Sequence, residues 1–268
     1  MQKAPKPPAD KSFDNRAELF KKKIYGTTKG KIRASVVWRD LEEILKSLPT
    51  DRPLNILDAG GGFGFMAKKL AHLGHKVTVV DISNDMIELG RKELLDDPVS
   101  GELCFMQGTV QELPTILPNK KYDLVMCHAV LEWLIDPKPV IAILKSMLAV
   151  NGILSLLIYN KTALLFQSLV VGNFDYIKVG LVKRRRQTLT PQTPLYIDDV
   201  ISWLSESGLQ LENLSGVRVV HDYMRDKQDQ INKFDDLLHY ELEYSRHPDF
   251  ARLGRYVHLW TKPFVTVD

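Results

Sequence analysis

The chain has 268 residues, 44% of them hydrophobic, and carries 36 Lys and Arg against 33 Asp and Glu for a formal net charge of +3. That composition fills the core of one large domain or two small ones, and its charge is too mild to mark a nucleic-acid binder by itself. Two cysteines, Cys104 and Cys127, exclude a disulfide framework or a zinc ligand set.

In chain order, residues 1–12 (MQKAPKPPADKS) are rich in Pro and Lys and are expected to form a disordered tail. They lack the apolar run of a secretory leader. No later run approaches the roughly 18 apolar residues that span a bilayer. A soluble, reducing, cytoplasmic setting is the simplest account, with no membrane partner and no metal. Residues 13–23 have helical spacing, 24–33 (IYGTTKGKIR) are glycine-broken and basic, and a helix is predicted over 34–48.

Strands are then predicted at 54–58, 76–81, 102–107, 121–128 and 152–159, with helices at 63–73, after Ser83 as N-cap, and at 137–149. The two cysteines fall inside strands and read as buried thiols. Short apolar strands alternating with helices predict a parallel sheet covered on both faces. Further along, 160–171 is helical in pattern, and 172–195 is polar and basic, with KRRR at 183–186. A helix at 196–207, a strand at 209–220, a charged helical segment at 226–246 and a last strand at 255–263 follow. The basic stretch reads as a loop insertion, because strands after it can complete the sheet.

The segment DAGGGFG, residues 58–64, sits between a strand and a helix. Glycines there let backbone approach a ligand closely, and the helix start offers free N–H groups. The dinucleotide pattern G-x-G-x-x-G fits only with alanine at its last position, Ala67. Read as D-x-G-x-G-x-G the fit is complete: Asp58, Gly60, Gly62, Gly64. Asp81 ends the second strand, where a carboxylate can accept from ribose hydroxyls or simply stand as an acid at a helix start. Asp58 would repel a pyrophosphate but suits an amino-acid ammonium. Asp81 suits NAD as well as S-adenosylmethionine, and Asp58 favours S-adenosylmethionine over NAD.

These segments, ILDAGGGFG, VTVVD, FMQGTVQEL and YDLVMCHAVLEW, resemble the motifs of class I S-adenosylmethionine-dependent methyltransferases. More narrowly, IYGTTKGKIR, HAVLEW, GNFDYIKVGL, GVRVVHDYMR and LGRYVH resemble the tRNA 5-carboxymethoxyuridine methyltransferase family, over nearly the whole chain after the tail. The resemblance implies a Rossmann-like α/β fold: a seven-stranded, mostly parallel sheet with helices on both faces and a terminal antiparallel hairpin. It implies one domain over 13–268, with an N-terminal helical lid (13–48) and a basic substrate-binding insertion (about 160–195). It places Gly60 and Gly61 against the methionine part of the cofactor and Val110 and Gln111 beside the adenine. It puts His128 near the donor and Arg33 on the cofactor carboxylate. By sequence alone His128 also suits a core histidine, Arg33 a solvated charge, and Trp133 and Leu131 packing.

The reaction so implied methylates the carboxylate of 5-carboxymethoxyuridine at the tRNA wobble position, with the anticodon stem-loop as partner. A carboxylate is already ionised at neutral pH, so the absence of an obvious catalytic base is no objection. Cations should hold the acceptor, and the candidates are Arg218, His221, Tyr223, Arg225 and Arg255. In a strand, Arg218 to His221 would alternate between sheet faces. Lys183 to Arg186 would suit phosphates, and Phe174 and Tyr176 a stacked base. The alternatives are a methyltransferase acting on a small carboxylic acid or amine, an NAD-dependent oxidoreductase, and a non-catalytic RNA-binding protein of this fold.

Overall fold

The computed structural model describes residues 10, 12–22, 26–181, 191 and 193–264. The KRRR run and most of the expected tail lie outside them; Asp10 and Ser12 are inside. Among the described residues no helix is long and apolar enough to cross a membrane.

The chain begins with α1 (Ala17–Phe20) and the long α2 (Thr28–Lys46). Then β1 (Asn55–Ala59), α3 (Phe65–His72), β2 (Lys76–Asp81), α4 (Asn84–Asp96) and β3 (Glu102–Gln107) alternate. After the short α5 (Leu113–Ile116) come β4 (Tyr122–His128), α6 (Lys138–Ser146) and β5 (Leu148–Tyr159). The chain continues through α7 (Lys161–Val170), α8 (Phe174–Lys178), α9 (Ile197–Glu206) and β6 (Leu209–Val217). It ends with α10 (Asp229–Asn232), α11 (Phe234–Tyr244), α12 (Pro248–Ala251) and β7 (Tyr256–Pro263).

The strands form one seven-stranded sheet in the order β3-β2-β1-β4-β5-β7-β6. All neighbours are parallel except β7, which runs antiparallel to both β5 and β6. The order reverses between β1 and β4. In open sheets of this kind, ligands bind at the carboxyl ends of the strands beside that switch point. Successive side chains on a strand face opposite ways. Thus Leu57 and Val125 enter one apolar core while Ile56, Leu124 and Met126 enter the other. Both layers are covered, which explains why β4 is apolar along most of its length.

Helix starts follow their caps. Ser83 accepts from the Met86 N–H, and Asn160 from the Thr162 N–H. Such side chains satisfy donors that the first helical turn leaves unpaired. The predicted helix over 34–48 instead starts at Thr28, because Thr27 accepts from the Gly30 N–H and Ile32 joins the buried face with Val36 and Val37. Burial outweighs the glycine there. The long helical segment expected over 226–246 is broken at Lys233 into α10 and α11. Cys127 is buried as expected, but Cys104 is exposed. It lies on β3, the edge strand, part of whose surface is open.

Candidate active site

A pocket lies at the carboxyl ends of β1, β2 and β4. It brings together Asp58, Gly60 and Gly61 after β1, Asp81 at the end of β2, and Val110 and Gln111 after β3. His128 at the end of β4 and Arg33 from α2 complete the predicted set. The glycines are required by space. Gly60 has φ +75°, and a Cβ on it would stand 2.4 Å from Val130 Cγ2. On Gly61 a Cβ would stand 2.4 Å from the carboxyl carbon of Asp58. The loop therefore folds directly over that carboxyl group.

Two carboxyl groups lie under this loop. Asp81 accepts from the Gly62 and Ser83 N–H groups, each at 2.8 Å, and so ties the first loop to the start of α4. Burial raises its pKa against those two hydrogen bonds. Burial first, and then the charge of Asp81, pushes Asp58 up to about 7. A cation placed beside Asp58 would favour its ionised form.

His128 is held from behind by a buried chain of polar groups. Its Nε2 lies 2.8 Å from Ser155 Oγ, which lies 2.7 Å from His258 Nε2; His258 Nδ1 is 2.7 Å from Asp40 Oδ2. Arg39 and Arg246 donate to the other Asp40 oxygen. Although burial opposes it, His258 and then Arg39 hold the Asp40 carboxyl well below the usual range. An ionised carboxylate only accepts, so His258 donates from Nδ1. Burial, followed by the charges of His258 and Arg33, keeps His128 neutral by lowering its pKa well below that of a free imidazole.

The predicted acceptor-binding residues have a different geometry from a strand. β6 stops at Val217, Arg218 takes φ +63°, and His221–Tyr223 form a single 3-10 turn. The Glu241 carboxylate dictates this, because it accepts from the N–H groups of Val219, Val220 and His221 in succession. Three consecutive amides cannot converge on one side chain in extended backbone. The expected alternation of Arg218 to His221 across sheet faces is therefore absent. Instead Arg218 and Arg255 both donate to Asp222 Oδ2, at 2.6 and 2.7 Å, and His221 Nδ1 lies 2.8 Å from Oδ1. Although burial opposes it, the Arg218 charge, His221 and then Arg255 hold the Asp222 carboxyl well below its ordinary range. Tyr223 donates to the Leu253 carbonyl. Arg225 stands apart, exposed beside Asp226 and Asp229.

Tyr256 joins the two regions. It lines the pocket, and the Arg33 and Arg218 guanidinium groups lie 5.8 and 5.7 Å from its ring centroid. Sequence reasoning missed this tyrosine. It also missed Asp10, which lines the pocket and accepts from Gln111 Nε2 and the Ile135 N–H. Phe13, Phe20 and Trp133 also line the pocket; the Phe13 ring packs on both of the others. Trp133 is thus a wall residue, whereas Leu131 is fully buried packing. Only the unusual Asp in a Pro- and Lys-rich stretch could have signalled Asp10. Among the described residues no group of His, Cys, Asp and Glu is placed to hold a metal.

Comparison with known proteins gives this site a setting. Residues 57–156 match the family model described as a methyltransferase domain. The tRNA 5-carboxymethoxyuridine methyltransferase of Escherichia coli (strain K12) is 40% identical over 250 residues, covering 93% of this chain and 95% of that protein. A ubiquinone biosynthesis O-methyltransferase of Xanthomonas euvesicatoria is 31% identical over 162 residues, 60% of this chain and 65% of its own. The crystal structure of magnesium protoporphyrin IX methyltransferase from Synechocystis, with bound SAH, superposes with a TM-score of 0.64 at 17% identity. It covers 94% of this chain and 96% of its own, which shows the shared fold. Identity sustained over nearly the full length of both chains, on a sheet with this order and this loop, makes the chain a class I S-adenosylmethionine-dependent methyltransferase of the tRNA 5-carboxymethoxyuridine methyltransferase family.

Proposed function

We propose that this protein methylates the carboxylate of 5-carboxymethoxyuridine at the wobble position of tRNA, giving the methyl ester. The observation that carries the acidic acceptor is the cation-rich network around Asp222, one tyrosine ring away from the glycine-loop pocket.

The residues of the pocket fit the methyl donor. Gly60 and Gly61 line the pocket, and backbone without side chains there lets the methionine end approach closely. Asp58 faces its ammonium and Arg33 its carboxylate. Asp81 accepts from ribose hydroxyls, Val110 and Gln111 flank the adenine, and His128 stands near the sulfonium. S-adenosylmethionine supplies an electrophilic methyl group on that sulfonium. The protein's own work is to align the acceptor oxygen with it and to exclude water. No base is needed, because the acceptor is ionised at neutral pH. The neutral His128, fixed through Ser155, puts no positive charge against the sulfonium.

Phe13, Phe20 and α2 support reading residues 13–48 as a lid over the donor. Around 160–195, exposed Phe174 and the neighbouring Tyr176 suit the anticodon loop. Replacing Arg218 should weaken tRNA methylation and leave donor affinity nearly intact. Mass spectrometry of tRNA nucleosides from a strain lacking the gene tests the whole reading. The methyl ester should vanish and the free acid accumulate; an unchanged ester level rejects it.

A further inference from the structure

Of the two arginines beside Asp222, Arg255 is largely committed, whereas Arg218 is tied by Nη2 alone and its buried Nε has no partner among the described residues. Arg255 donates Nε to Asp222, Nη2 to Gln167 Oε1, and approaches the Tyr159 hydroxyl at 3.4 Å with Nη1. Arg218 Nη2 is paired with the same carboxylate, which thus serves two guanidinium groups. Lys227 spends its ammonium on the carbonyls of Met224 and Asp222. Lys29 stands within electrostatic reach of all four of these groups, Arg218, Asp222, Arg255 and Lys227. Its own ammonium has no hydrogen bond or ion pair among the described residues. Four cations therefore gather around one carboxylate, and the fourth makes no direct contact with it. Lys29 is exposed; desolvation first, and then the Arg218 charge, lower its pKa, with Asp222 opposing them and Arg255 and Lys227 adding to them.

Helix geometry places this lysine. Lys29, Arg33 and Val37 are spaced four apart on α2, so they form one stripe with about 6 Å between successive members. Arg33 and Val37 line the donor pocket, and Lys29 continues the stripe toward the Asp222 network. Thr28 Oγ1, 3.3 Å from His221 Nε2, ties the start of α2 to the turn that carries Asp222. Donor-side and acceptor-side cations thus sit on adjacent turns of a single rigid helix.

We propose that Lys29 binds the acceptor carboxylate, so that this unpaired cation, with Arg218 and Arg255 held in place by Asp222, selects a free acid over its ester. The proposal rests on the function given above and assigns its acceptor contact. It carries a consequence for turnover: methylation removes the negative charge that Lys29 holds, so the product is bound less tightly than the substrate.

The test is equilibrium binding, with S-adenosylhomocysteine present, of two anticodon stem-loop RNAs that differ only in the free acid or the methyl ester at the wobble uridine. Wild type should prefer the acid by on the order of tenfold or more, the range of one charge-assisted hydrogen bond. Lys29→Met should lose most of that preference and Lys29→Arg should keep most of it. Both should bind S-adenosylhomocysteine as wild type does, which also reports that they fold. A preference left intact in Lys29→Met overturns the proposal. So does an equal loss for both RNAs, which would make Lys29 a phosphate contact. If wild type transfers no methyl group to the acid RNA, the function fails and takes this assignment with it. Transfer with an unaltered preference in Lys29→Met sinks only the assignment.

Discussion

The Asp58 carboxyl offers the sharpest test of how the pocket holds its donor. With its pKa pushed to about 7 by burial and by Asp81, the group is mostly protonated below neutral pH when the pocket holds no cation. An ammonium bound beside it requires the ionised form. Donor affinity should then rise with pH up to about 7, above which loss of the donor's own ammonium proton, ordinarily at about pH 8, opposes the gain. From Asp58 alone the expected change is about fivefold between about pH 6 and about pH 7. Calorimetry with S-adenosylmethionine across that range, in buffers of different ionisation enthalpy, reads both the affinity and a proton released on binding at the acid end. Asp58→Asn should bind more weakly at about pH 7 and show a flat profile between about pH 6 and about pH 7. The same group has a stability consequence of known sign. Its folded pKa lies above the unfolded value of 3.8, so folding favours the neutral form. That contribution is complete below about pH 4 and is lost as pH rises through about 7. At roughly 1.4 kcal/mol per pH unit it amounts to about 4 kcal/mol at most. An affinity independent of pH, or a variant with the wild-type profile, would refute the reasoning and move the titration elsewhere.

Two further outcomes follow from the geometry. Gly60→Ala forces an L-residue into positive φ, costing about 1–2 kcal/mol, and drives a methyl group into Val130; donor affinity should fall at least about tenfold by calorimetry. Gly74→Ala is its comparator, with φ +89° but nothing within 4 Å of the added Cβ, so it should lower the melting temperature and leave donor affinity unchanged. Asp222→Asn removes the charge that Arg218 and Arg255 share in a buried site. Breaking such an arrangement costs about 3–5 kcal/mol, so the melting temperature should drop by roughly 10 °C in calorimetric scanning.

Much of the architecture was legible in local pattern. β2 and β3 have the bounds their apolar runs predict, 76–81 and 102–107, and Ser83 caps α4 as its hydroxyl suggests. The glycine loop and Asp81 were legible too, because close backbone approach and an acid at a strand end leave a mark in a few adjacent residues. The fold class could be read from those segments, and the family from IYGTTKGKIR, HAVLEW, GNFDYIKVGL, GVRVVHDYMR and LGRYVH. Where burial competes with a local signal the reading slipped. α2 runs through Gly30 on the strength of Ile32, and Cys104 is exposed because β3 is an edge strand, which no local pattern reveals.

The acceptor side was decided by tertiary structure. Residues 209–220 read as one strand, yet Glu241, far along the chain, gathers the amides of Val219, Val220 and His221 and ends it early. That turn sets Arg218 and Asp222 beside Arg255. The chain Asp40, His258, Ser155 and His128 joins residues from α2, β7, β5 and β4. Periodicity and capping act over a few residues, so the sequence by itself determined the elements, the donor loop and the family. Pairing of buried charges acts across the core, between residues whose separation carries no local signal. Only the packed sheet decided which cations gather around Asp222.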